Sequence, residues 1–226
     1  MPANLQSAVS SVILPVTPAV GVSMTETEKH EDHHVCPVWV GYLLASPIRA
    51  ILQNPVKILA PHVTPGMHVL DIGCAMGFFS LPLALLVGVN GRVVCVDLQQ
   101  KMLDAFLGRA RRKGLDDRIE ARLCGSESLG IIDLADQIDF ALAFAVVHEV
   151  ADSARLFSEI HAVLKPGGRV LVAEPKGWVP TSSFEKSITI ARTCGFDVVA
   201  MPKVSRSHAA ILERKRDTNQ ALDGTA

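Results

Sequence analysis

The chain has 226 residues, 49% of them hydrophobic and 20% charged, with a formal net charge of −1. That length carries one domain with a sizeable core, and the apolar bias suits a sheet covered by helices on both faces. The near-neutral balance excludes a global field for nucleic acid or an anionic membrane, and the longest apolar run, Phe140 to Val147, is too short to span a bilayer.

In chain order, residues 1–33 read as disordered. The first 23 carry no charge and no sustained period, and a polar run follows Met24. Residues 34–65 read as an N-terminal helical layer, with short helices broken at Pro47 and a further helical turn at Pro55–Leu59. Trp39 and Tyr42 stand three residues apart and share a helix face, which makes them candidates for substrate contact as an aromatic lid. An α/β core is expected over 66–213. It opens with a strand His68–Ile72 and a helix Phe78–Val87. A turn at Asn90-Gly91 leads to a strand Arg92–Val96, closed by Asp97. A helix Gln100–Lys113 puts Leu103, Phe106, Leu107 and Ala110 on one face and is capped by Gly114.

Strands follow at Ile119–Leu123 and Asp139–Phe144, then a helix from Ser153 to Leu164 that Pro166-Gly167-Gly168 ends, then a strand Arg169–Ala173. Ser182 with Glu185 reads as a capping box for a helix running to Gly195. Strands Phe196–Met201 and His208–Leu212 close the core, and residues 214–226 form a disordered, solvated tail. Alternating strands and helices imply a parallel sheet with right-handed crossovers. The last connection, Pro202 to Ser207, is too short for a parallel crossover, so the final pair is antiparallel. The expected fold is α/β: a Rossmann-like three-layer sandwich around a mostly parallel seven-stranded sheet with an antiparallel last strand, preceded by the N-terminal helical layer.

The segment Val69-Leu70-Asp71-Ile72-Gly73-Cys74-Ala75-Met76-Gly77-Phe78-Phe79-Ser80 carries the strongest functional signal. Small residues after a buried strand let the backbone approach a ligand, and a carboxylate at the end of the next strand, Asp97, can accept both hydroxyls of a ribose. A dinucleotide fingerprint needs glycines where this chain has Ala75 and Phe78, and no Gly-Lys-Ser/Thr follows as in a P-loop. Alanine at position 75 is tolerable if that residue keeps a negative φ. The loop resembles motif I of class I S-adenosylmethionine (SAM) dependent methyltransferases. Further matches follow in order at Asp97, Asp139–Glu149, and Leu164–Gly168 leading into Leu171–Pro175. The closest group is that of ubiquinone/menaquinone-type and small-molecule methyltransferases.

The resemblance implies SAM as cofactor. It places the backbone of Gly73, Cys74, Ala75 and Gly77 on the SAM tail, with Asp71 and Phe144 counted in the same site. Asp97 falls on the ribose, Leu98 and Met102 on the adenine, and Ser126 or Glu127 on the adenine amine.

Methyl transfer is an in-line displacement in which the enzyme mainly positions two reactants. A base is needed only when the nucleophile loses a proton. After the strand ending at Phe144, His148 is a candidate base or substrate-orienting group and Glu149 its partner. Glu174, at the end of the next strand, faces the same sheet edge and is a candidate substrate contact. His33, His34 and Cys36 are soft-metal ligand types, but their spacing fits no standard site, and no metal is expected. Five scattered cysteines without a C-x-x-C pair fit a reducing, cytoplasmic setting. The expected function is methyl transfer from SAM to a small-molecule substrate, with no nucleic acid, no membrane span and no feature that selects an oligomeric state. The alternatives are a SAM-binding sensor or partner protein without catalysis, and a methyltransferase acting on a metalloid or thiol through Cys36.

Overall fold

A computed structural model of the chain describes residues 53–216. The expected disordered segment 1–33 and the greater part of the 34–65 layer, with Trp39, Tyr42, His33, His34 and Cys36, lie outside the described residues. Helix α1, Pro55–Leu59, is the helical turn expected there. It begins on Asn54, whose side chain accepts the Lys57 N–H at 3.1 Å.

Seven strands follow: β1 His68–Ile72, β2 Arg92–Asp97, β3 Ile119–Leu123, β4 Ile138–Phe144, β5 Leu164–Pro175, β6 Phe196–Ala200 and β7 Ser207–Arg214. They form one sheet in the order β3-β2-β1-β4-β5-β7-β6. Strands β1 to β5 pair in parallel, and β7 runs antiparallel to both its neighbours, β5 and β6. The chain winds outward from β1 to β3 and then crosses to β4 on the other side of β1. The carboxyl ends of β1 and β4 therefore diverge, leaving the crevice in which α/β sheets bind ligands.

Four further helices cover the sheet: α2 Ser80–Val87, α3 Gln100–Arg112, α4 Ser153–Val163 and α5 Thr181–Thr193. Alternate residues of each strand feed opposite faces. Leu70, Ile72 and Ala141 pack with Phe157, Ile160 and Phe184 of α4 and α5, whereas Val69, Val93 and Leu142 pack with Leu83 and Phe106 of α2 and α3. Both faces are covered, which is why the central strands are apolar throughout.

Three local expectations are corrected. Pro166-Gly167-Gly168 does not separate helix from strand. It lies within β5 as an irregularity, where the pairing with β4 shifts register between Ile138 and Phe140. Helix α5 begins at Thr181 with Pro180 as its N-cap, not with a Ser182–Glu185 capping box. Proline fixes the extended-to-helical junction itself, with φ −59° and ψ 151°, and Ser182 already lies in the first turn. Arg214 is not part of a solvated tail: it ends β7, and its guanidinium binds the Asp136 carboxylate and the Leu164 carbonyl.

Candidate active site

A cavity of about 340 Å³ opens at the carboxyl ends of β1, β2 and β4. Its floor is the loop after β1. Gly73 and Cys74 donate their backbone N–H groups to the Val96 carbonyl at 2.9 and 3.1 Å, which ties the loop to β2. Ala75 donates to Asp97 Oδ2 at 2.8 Å, and Gln99 donates to Asp97 Oδ1 at 2.9 Å. Asp97, 8% exposed, is thus fixed by one backbone donor on each oxygen and keeps lone pairs for a ligand.

Ala75 departs from expectation. Its φ is +46°, in the left-handed region rather than the negative range. For alanine this costs about 1–2 kcal/mol, and the charge-assisted bond to Asp97 offsets it. Gly77 has φ +79°, and a Cβ there would lie 2.2 Å from Phe106 Cδ2. The glycine therefore lets the loop lie flat on α3. Strain of this kind, held in place by its surroundings, concentrates at binding sites.

Of the expected cofactor residues, Gly73, Cys74, Ala75, Asp97, Leu98, Met102, Ser126, Glu127 and Phe144 line the cavity. Leu98 stands on its lip, 47% exposed, and Met102 beneath it, 2% exposed. Two others stand behind it. Gly77 faces Phe106, and Asp71 is buried against α2, where its Oδ2 accepts the Ser80 hydroxyl at 2.5 Å. Burial, with a smaller push from Asp97, raises the Asp71 carboxyl to about 7. Burial also raises Asp97 above the usual carboxylate range.

Sequence reasoning missed Gln99 and Arg155, and Phe79 on the wall, whose ring meets Phe144 at 4.4 Å. Arg155 donates to both the Glu127 carbonyl and carboxylate, at 2.9 and 2.6 Å, and so clips the loop after β3 to α4. A charge of each sign at the right distance was the available signal, but nothing in the sequence pairs them.

Another part of the wall is the turn after β4, which includes a 3-10 turn at Val147–Glu149. Val146, Glu149 and Val150 line the cavity; His148 does not. Its side chain instead lines a second, shallower depression with Asp152, Ser183 and Lys186. Glu174, the other candidate at this edge, does not line the cavity either. It is 1% exposed at the end of β5, where Oε1 accepts Val146 N–H and Val147 N–H at 3.2 and 2.9 Å and Oε2 meets His148 Nδ1. Those amide donors consume the carboxylate that a substrate would need. His148 Nε2 lies 4.0 Å from Glu149 Oε1, so Glu174 is the nearer partner of the imidazole. The bond to Glu174 raises the His148 pKa, and burial raises that of Glu149. Ala145, at the base of this turn, has φ +57°, the second strained alanine beside the cavity.

The thiols on the wall are not thiolates. A hydrogen bond with Cys95 and burial hold Cys74 well above the ordinary thiol range, and burial pushes Cys124 to about 11. Among the described residues no group of three or more His, Cys, Asp or Glu side chains is placed to hold a metal, and no helix is long and apolar enough to cross a membrane. His62 stacks on Phe140, with ring centroids 5.7 Å apart.

A family described as a methyltransferase domain matches residues 63–216, which contain the whole sheet and cavity. The chain belongs to the class I SAM-dependent methyltransferases. A 37.1 kDa protein of transposon TN4556 from Streptomyces fradiae is 33% identical over 170 residues, 71% of this chain and 48% of that protein. A demethylmenaquinone methyltransferase from Symbiobacterium thermophilum is 34% identical over 113 residues, 50% of this chain and 44% of that enzyme. The chain thus spans less than half the length of these relatives. The fold matches a crystal structure of a SAM-dependent methyltransferase from Aquifex aeolicus with a TM-score of 0.69 at 22% identity, covering 78% of this chain and 97% of that one. SAM is the cofactor of the family, and the residues present are of kinds that fit it: the Asp97 carboxylate, fixed by two backbone donors, and the apolar side chains of Leu98 and Met102.

Proposed function

We propose that this protein transfers a methyl group from SAM to a small-molecule acceptor that loses a proton, with Glu149 facing the reactants. The observation that carries the reading is that two carboxylates line one cavity. Asp97 is held by two backbone donors, and Glu149, on the turn after β4, lines the same cavity. When bound, SAM supplies a methyl group on a sulfonium, ready for in-line attack. Asp97 takes the ribose hydroxyls, Leu98 and Met102 flank the adenine, and the Gly73–Ala75 backbone receives the amino-acid tail. Glu127 is engaged by Arg155, so the Ser126 hydroxyl takes the adenine amine. Glu149 accepts the acceptor's proton as the new bond forms, and burial, which raises its pKa, makes it a stronger base than an ordinary carboxylate. His148 stands behind it, with Nε2 4.0 Å from the Glu149 carboxylate.

A small acceptor is supported by the near-neutral charge and by similarity to an enzyme named for demethylmenaquinone. The test is a labelled-methyl transfer assay, run first on extract of a strain lacking the protein and then on isolated candidate acceptors. Label transferred to a low-mass compound supports the reading. SAM binding without transfer to any extract component would favour a sensor instead.

A further inference from the structure

We infer that the buried carboxylate of Glu174 is a positioning residue that fixes the tautomer of His148. It holds the proton on Nδ1, so the proton that enters and leaves the imidazole is the one on Nε2, beside Glu149. The consequence for methyl transfer rests on the reading of Glu149 above; the tautomer itself is a property of the protein without substrate.

The argument is one of donors and acceptors. An ionised carboxylate only accepts. Glu174 Oε1 is occupied by the Val146 and Val147 amides, and Oε2 faces His148 Nδ1. Because the carboxylate only accepts, the shared proton belongs to the nitrogen. The hydrogen bond made by one imidazole nitrogen decides which of the two is protonated. With Nδ1 committed, Nε2 carries the lone pair and stands 4.0 Å from the Glu149 carboxylate, which lines the cofactor cavity. Other titratable groups stand nearby: Asp152 and Lys186 line the depression beside His148, His208 is the cross-strand partner of Glu174, and Asp97 acts on Glu149. A proton taken up by Glu149 thus has a neighbouring nitrogen of known orientation to pass to, and the imidazolium formed there stays paired with Glu174.

The same geometry dictates what Glu174→Gln does. The Val146 and Val147 amides require an acceptor at Oε1, so the glutamine oxygen stays beneath them and its NH2 turns to His148. Nδ1 must then present a lone pair, and the imidazole proton moves to Nε2. One isosteric substitution inverts the tautomer.

The experiment is long-range 1H–15N NMR of histidine-labelled full-length protein through the His148 titration, with the signal assigned by loss in His148→Asn. In the wild type the neutral imidazole is expected to keep its proton on Nδ1, and in Glu174→Gln on Nε2. A wild-type neutral imidazole protonated on Nε2, or a Glu174→Gln spectrum with unchanged tautomer, overturns the inference. The wild-type spectrum decides even if the variant fails to fold. Once an acceptor is in hand, Glu174→Gln should also lower kcat by roughly 10²-fold or more. Tautomer inversion with an unchanged kcat would refute the Glu149 proton path while leaving the role of Glu174 standing.

Discussion

Gly77→Ala should destabilise the protein and disturb the cofactor loop together. The new Cβ would stand 2.2 Å from Phe106 Cδ2 and 2.5 Å from Cε2, and Phe106, on α3, is fully buried. The ring cannot swing away without displacing packed neighbours, so overpacking costs about 1–3 kcal/mol. Holding alanine at the φ of +79° adds about 1–2 kcal/mol. The sum, about 2–5 kcal/mol, is a large fraction of the ~5–15 kcal/mol that holds a domain folded. For a chain of this size it lowers Tm by roughly 10 °C. Two residues earlier the sign reverses. Ala75→Gly relieves the left-handed strain and gives back part of it as unfolded-state entropy, so stability rises by about 0–1 kcal/mol. Urea unfolding of both variants measures the difference. A Gly77→Ala midpoint equal to wild type would refute the reasoning, because it would mean that the loop does not lie against α3.

Asp97→Ala should weaken SAM binding by about 1–3 kcal/mol, the cost of leaving ribose hydroxyls without a charged acceptor; calorimetry with SAM checks it, and unchanged affinity would count against the site. Glu149→Gln should cut methyl transfer by about 10²–10⁴-fold with little change in S-adenosylhomocysteine affinity, as read by steady-state kinetics beside a titration. Asp71 gives a pH prediction. Its carboxyl is raised to about 7 in the folded protein against an unfolded value of about 3.9. The stability it contributes is therefore fully present below the unfolded value and lost as pH rises through about 7. Full ionisation costs about 4 kcal/mol, so unfolding free energy should fall from mildly acid to mildly alkaline pH in the wild type and fall less in Asp71→Asn. Equal slopes in the two proteins would show that Asp71 does not titrate there.

What could be read ahead of the structure was whatever local pattern decides. The apolar run from Val69 to Ile72, the acid at Asp97 and the alternation of strand and helix are local signals, and β1 and β3 fall where they were expected. The short link between the last two strands forced the antiparallel pair, which the sheet contains. Long-range contacts were not legible. The bond from Val147 to Glu174 joins residues 27 apart in sequence, and no periodicity announces it, so Glu174 looked like an edge carboxylate free for substrate. The same absence hid the salt link from Arg155 to Glu127. Ala75 misled for a different reason. Its residue type argues for negative φ, and only the Asp97 acceptor, supplied by another strand, holds it in the left-handed region. At Pro180 the error was one of competing local rules: a proline at the junction outranked a serine two residues later.

The cavity between β1, β2 and β4 should take SAM and not a dinucleotide. Calorimetric titration of the full chain with SAM and, separately, with NADH distinguishes the two. Saturable binding of SAM at one site per chain and no measurable heat from NADH are expected. Tight binding of NADH with none of SAM would contradict the SAM assignment.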